Sequence, residues 1–188
     1  MTTANYLNNQ FLIAMPNLTD PSFSHTVTYL CQHNEEGALG IVINRSAGLT
    51  LSDIFEQMKI NSSDEQINET PILIGGPVQQ DRGFVLHSYR DQSWDSTVAT
   101  SDTTALTSSR DILEAIAAGE GPDHFLIALG YAGWGSGQLE KEIIDNAWLN
   151  TPCGENILYD MPINQRWNAA ASQLGVDINK LTAPAGHA

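Results

Sequence analysis

Positive charge is in short supply in this chain. Over 188 residues, 8 Lys and Arg stand against 22 Asp and Glu, a formal net charge of −14. Proteins that hold nucleic acid electrostatically need lysines and arginines to displace the counterions of the phosphates, so direct nucleic-acid binding is not expected. Cysteine is scarcer still. Cys31 and Cys153 lie far apart and in no CxxC or Cys/His ligand spacing. They read as free thiols of a reducing cytoplasm rather than a disulfide framework, although spacing alone leaves a Cys31–Cys153 bridge open. Long apolar runs are missing as well. The N-terminal run from Phe11 to Met15 is too short for a signal-peptide core or a membrane span, and no Lys or Arg precedes it. We expect a cytoplasmic protein without membrane association. His25, His87 and His124 are scattered without zinc-ligand spacing, and no phosphate-loop or dinucleotide motif occurs. Neither a metal nor a cofactor is expected.

Hydrophobic residues make up 41% and charged residues 16%, which excludes a disordered or coiled-coil chain. The length suits one domain over residues 1–188, with no internal repeat, able to bury about 70% of the surface its unfolded chain exposes. Residues 26–33 alternate by twos, and the β-rich run 38–44 follows the turn Asn34-Glu35-Glu36-Gly37. The pair predicts a hairpin with a four-residue loop. Further strands are expected over 71–74, 83–87, 96–100, 125–129 and 156–159, each apolar or aromatic and bounded by turn residues. Thr50 and Asp53 mark a helix start ahead of Leu51, Ile54, Phe55 and Met58. Ser108 and Asp111 repeat that device, with Gly119 as the stop. Two more helices are expected, one over 138–149 and one from Pro162 to Gly175. Residues 61–69, NSSDEQINE, read as a polar loop, and 182–188 as a tail that could be flexible. The fold class expected is α+β: a single compact domain with a mixed, largely antiparallel or barrel-like sheet and about four amphipathic helices packed on it.

Three groups of residues could carry chemistry. Cys31 and His33 lie two apart on one strand, where an imidazole could activate a thiol; the alternative is a buried, inert cysteine. Gly130, Gly133, Gly135 and Gly137 form a glycine loop between an apolar strand and a helix that carries Glu140. Such a loop can aim backbone N–H groups at an anion, or can simply be a tight turn. Gly75 and Gly76, before Pro77, make a fixed turn followed by Arg82, which reads either as an anion clamp or as half of an internal ion pair. Asn44 and Arg45, ending the second hairpin strand, could turn towards these glycines. Trp134, Trp148 and Trp167 are expected in or beside the core, and Glu140, Glu142 and Asp145 on a solvated helix face.

In order along the chain, FLIAMPNLTDPSF, TVTYLCQHNEEGALGIVINR, ILIGGPVQQDRGFVLHS, LTSSRDILEAIAAGEGP, ALGYAGWGSGQLEKEIIDNAWL, ILYDMPINQRW and the terminal AGHA resemble the YqgE/AlgH family of bacterial proteins. The resemblance spans nearly the whole chain from about Phe11 onward. It implies one compact α/β or α+β unit around a mixed sheet. It also brings a label of transcriptional regulator resting on genetic association, with no agreed activity, cofactor or catalytic set. The family's motif positions present here include Cys31, His33, Asn44, Arg45, Gly75, Gly76, Pro77, Arg82, Gly83, Gly130, Gly137, Glu140, Asn146 and Trp148. Gln32 stands where an acidic residue is usual, Ser46 where proline is common, and Cys153 where cysteine is not typical. The expected function is a non-enzymatic regulatory or adaptor protein that acts through a protein partner or a small effector and affects transcription only indirectly. The alternatives are a thiol-based sensor or enzyme using Cys31, and a binder of a small anionic metabolite using the glycine loops.

Overall fold

The computed structural model describes residues 6–181; the proposed tail at 182–188 lies outside them. In chain order the elements are β1 (Gln10–Ala14), β2 (Val27–Asn34), β3 (Gly37–Val42), β4 (Ser46–Thr50), α1 (Leu51–Met58), α2 (Glu65–Asn68), β5 (Pro71–Ile74), β6 (Val78–Ser88), β7 (Val98–Ala99), β8 (Thr104–Thr107), α3 (Arg110–Ala117), β9 (Phe125–Gly135), α4 (Gln138–Ile144), β10 (Trp148–Pro152) and α5 (Arg166–Ser172). One π-helical turn, Asn156–Asp160, and two 3₁₀ turns, Ile163–Gln165 and Ile178–Lys180, complete the set. The chain gathers into two compact units, one from residues up to Asn44 and from Ala132 onward, the other Arg45–Tyr131. β9 gives its residues up to Tyr131 to the second unit and the rest to the first.

In the first unit the strand order is β10-β1-β2-β3-β9, and every neighbouring pair is antiparallel. One core of this unit joins Leu12, Ala14 and Leu30 to Ala132, Trp134, Leu139 and Trp148. These side chains come from alternate positions of the strands and from the inner stripe of α4, as a half-buried sheet under a helix requires. In the second unit β5 runs parallel to β9, while β4–β5, β6–β9, β6–β8 and β7–β8 are antiparallel. Leu51 and Phe55 of α1 and Ile112 and Ile116 of α3 pack on Ile72, Val85 and Ile127 of the sheet. The α+β class and the mixed, mainly antiparallel sheet are thus as the sequence led us to expect.

Several boundaries differ from expectation, each for a local reason. The β2–β3 turn is tighter than four residues, because Asn34 and Gly37 already pair and leave only Glu35 and Glu36 in it. The run 156–159, expected as a strand, is a π-helical turn closed by Met161 N–H on Asn156 O. The helix expected over 138–149 stops at Ile144. Asn146 takes a left-handed φ of 62°, and Trp148–Pro152 then pairs with β1 instead. The polar segment 61–69 contains α2, whose Asp64 side chain accepts from the N–H groups of Gln66 and Ile67. The capping device at α1 is present, with Thr50 N–H donating to Asp53 Oδ2 at 2.9 Å. At α3 the cap is Ser109 rather than Ser108.

Candidate functional site

β9 decides the fate of the glycine loop. The strand does not end at Leu129 but continues to Gly135, so the expected strand–loop–helix shrinks to the two residues before α4. Gly133 pairs with Leu39 and Gly135 with Gly37 in the sheet. The Gly135 N–H donates to Gln138 Oε1 at 3.0 Å, and Gly137, at φ +74°, begins α4. These groups are spent on strand pairing and the helix cap. In the second unit, a Cβ at Gly75 would lie 2.3 Å from Gly130 O, and one at Gly130 2.6 Å from Gly76 O. Gly75, Gly76 and Gly130 are therefore where two backbones meet, a contact that only glycine permits. Asn44 faces the start of β2, accepting from Val27 N–H at 2.9 Å and donating to His25 O at 2.8 Å. Arg45 O accepts from Ile74 N–H. The sequence-selected residues fall into the two units and form no single cluster within either.

Cys31 sits at an irregularity in the β2–β3 pairing. It is buried, its Sγ lies 4.0 Å from Tyr29 O, and burial pushes the thiol well above its ordinary pKa. Burial, together with the Glu155 charge, also pushes Cys153 up, to about 12. Both are free cysteines. His33 serves something else. Its Nδ1 accepts from Leu7 N–H at 3.0 Å, which leaves the proton on Nε2, and Nε2 donates to Glu140 Oε1 at 2.8 Å. The His33 backbone N–H donates to Asn8 Oδ1 while Asn8 Nδ2 donates to His33 O. Tyr6 lies edge-on to the ring at 5.1 Å. His33 thus fastens the segment before β1, and the donated hydrogen bond holds the Glu140 carboxyl below its usual range.

Glu142 is not a solvated-face residue. Its Oε1 accepts both indole N–H groups, from Trp134 at 3.1 Å and Trp148 at 3.0 Å, and its Oε2 accepts from Gln138. Sequence reasoning also missed Arg166. It is 5% exposed and donates to Met161 O and Ile43 O at 2.9 and 2.5 Å. Burial pulls its pKa down to about 10.

The second unit holds a different polar array. His87 is buried on β6. Its Nδ1–H faces Ser88 O, so Nε2 accepts from Thr107 Oγ1 at 2.7 Å. Thr107 in turn accepts from Thr97, whose hydroxyl accepts from Trp94 N–H. Burial depresses the His87 pKa, against an opposing contribution from Ser88 O, and the ring is held neutral. Both Thr107 and His87 are 0% exposed, so this hydroxyl–imidazole pair is internal scaffolding.

What that scaffold supports is a cleft. Between the end of α1 and the start of α3 lies a cavity of about 290 Å³. Its apolar walls include Ile54, Leu113, Val85, Ile127 and Leu129, and its polar margin includes Gln57, Asp81, Ser108, Ser109 and Arg110. The α3 end is firmly built. Burial alone would raise the Asp111 carboxyl, but hydrogen bonds from Ser109 Oγ and Asp95 N–H outweigh it and hold it below its usual value. Arg82 meets neither ligand loop nor carboxylate. Its Nη2 donates to Ser108 Oγ at 3.1 Å and its guanidinium lies 5.3 Å from the Phe84 ring centre. The expected internal ion pair of Arg82 does not form among the described residues, where His33–Glu140, Arg110–Glu114 and Lys141–Asp145 do pair. No group of three His, Cys, Asp or Glu among them could hold a metal ion, and no described helix is long and apolar enough to cross a membrane.

An α+β protein with a mixed, chiefly antiparallel sheet and an apolar cleft between two helices is the class these features define. The chain belongs to the AlgH-like family (DUF179), which it matches over residues 11–179. A UPF0301 protein of Thioalkalivibrio sulfidiphilus is 56% identical over the whole length of both chains. One from Methylococcus capsulatus is 55% identical over 98% of this chain and 97% of its own. The solution structure of the AlgH protein from Pseudomonas aeruginosa is 51% identical, covers 100% of this chain and 99% of that one, and superposes with a TM-score of 0.80. A crystal structure from Corynebacterium diphtheriae shares the fold at 17% identity, with a TM-score of 0.72 over 92% of this chain and 90% of its own.

Proposed function

We propose that this protein is a non-enzymatic regulatory or adaptor protein of the cytoplasm, whose contacts with a protein partner depend on a small, mainly apolar molecule held between α1 and α3. The observation that carries this reading is the cleft itself. It is concave, its floor is made of sheet residues, and it nears the size range of small-ligand sites. Both flanking helices present outer faces to any partner, so a ligand that wedges between them changes the surface a partner meets. An effect on transcription would be indirect, since a charge of −14 repels phosphates. The third reading of the sequence, a metabolite site built on glycines, moves here to a place without glycine-loop chemistry.

The test is thermal stabilisation of the full chain across a panel of small aromatic and aliphatic molecules, run beside a Leu113→Trp variant that fills the cleft. Ligand-specific stabilisation in the native protein and its loss in the variant is the expected result. Equal stabilisation of both proteins refutes the assignment of the site.

A further inference from the structure

The polar groups that line the cleft differ in how much of their bonding capacity is already used. Arg110 is engaged twice, through Nε on Glu114 Oε1 at 3.1 Å and through Nη2 on Met58 O at 2.7 Å. Ser109 Oγ donates to Asp111, and Ser108 Oγ accepts from Arg82 and donates to Ser96. Asp81 stands apart. It lines the cleft, it is exposed, and among the described residues no hydrogen bond or ion pair engages its carboxylate. Arg82, beside it in sequence, does not line the cleft.

We propose that the cleft takes a small amphipathic cation, with its ammonium group at Asp81 and its apolar body over Val85, Ile127 and Leu113. This rests on the reading of the cleft as a ligand site and narrows it to one charge type. Two observations carry it. The unengaged charge in the lining is negative, while the positive one is already neutralised by Glu114. The whole molecule also carries −14, a field that gathers cations at its surface and turns anions away. The apolar walls supply affinity without regard to charge, and the carboxylate supplies the choice between ligands of one shape.

The experiment compares three probes with the same phenyl body, 2-phenylethylammonium, 2-phenylethanol and 3-phenylpropionate, titrated by NMR or calorimetry into the full chain at low salt. The ammonium is expected to bind about fivefold more tightly than the alcohol, the upper range for an exposed ion pair. That margin should shrink as salt is raised and vanish in Asp81→Asn, whose exposed side chain leaves the fold untouched. Equal binding of ammonium and alcohol overturns the proposal, as does a preference that survives Asp81→Asn. Tightest binding of the carboxylate overturns the choice of charge while upholding the cleft. If none of the three binds, or if Leu113→Trp binds them unchanged, the cleft reading and the proposal fall together.

Discussion

His33 offers the sharpest test of how the candidate residues are used. The ring is 2% exposed, and replacing it with alanine removes three things at once. The first is buried ring volume under Tyr6, worth about 2 kcal/mol in transfer and cavity cost. The second is the acceptor of the Leu7 N–H, at 3.0 Å, and a backbone donor left without a partner costs about 1 kcal/mol or more. The third, the bond to Glu140, adds little, because that side chain is 44% exposed and water replaces the imidazole. His33→Ala should therefore cost about 3 kcal/mol in urea unfolding, and the Leu7 amide should lose hydrogen-exchange protection. His33→Gln, whose amide can both accept from Leu7 and donate to Glu140, should recover roughly half of the loss. In a Cys153→Ser background, alkylation of Cys31 should stay slow in both variants at conditions where they remain folded. A loss under about 1 kcal/mol with unchanged Leu7 exchange would refute the strap argument. A Cys31 rate that tracks the presence of the His33 imidazole would restore the thiol reading.

Two further predictions concern the second unit. Gly130→Ala forces alanine to a φ of +78° with its Cβ 2.6 Å from a carbonyl oxygen, and should cost about 3 kcal/mol or more. Gly119→Ala, at φ +79° with nothing within 4 Å, should cost only about 1 kcal/mol; similar urea midpoints would show that Gly130 is not a packing position. His87 has a depressed pKa in the fold, from an ordinary value of 6.5. Below that value the unfolded chain takes up a proton that the folded chain refuses, so the His87 contribution is complete above about pH 6.5 and is lost as pH falls below it. The fall in Tm between pH 7.5 and 5.5 should be shallower in His87→Gln, and parallel profiles would contradict the linkage.

The fold was legible wherever periodicity and caps agreed. Thr50 with Asp53, and the stripe Leu51, Phe55 and Met58, placed α1 almost to the residue, and the alternation of 26–33 placed β2. It was illegible where tertiary pairing overrode local chemistry. Gly130, Gly133 and Gly135 look like loop residues, yet β3 and β6 flank them and extend β9 through all three. In that crowded register the absence of side chains is an advantage. Trp148 continued the helical stripe of 138–149, but the left-handed turn at Asn146 passed it to β10. β1 and β8 were missed because a short strand buried on both faces shows no alternation to read.

The site was illegible for a different reason. Residues with chemical character drew notice in the sequence, and most of them turn out to be consumed by the fold: His33 by Leu7 and Glu140, Glu142 by two tryptophans, His87 by Thr107 and Ser88 O. A side chain whose hydrogen-bonding capacity is used inside the protein has none left for a ligand. What remains available is defined by the opposite property, an unremarkable residue with nothing bonded to it. Asp81 is one of 22 acidic residues and was not among the candidates the sequence singled out, while Ile54, Leu113 and Val85 are ordinary apolar positions of α1, α3 and β6. Their common feature is that helix and strand stripes wide enough to cover a core also reach its edge, beside the end of α1 and the start of α3. Function at such an edge follows from the geometry left over after packing, which only the positions of the elements reveal.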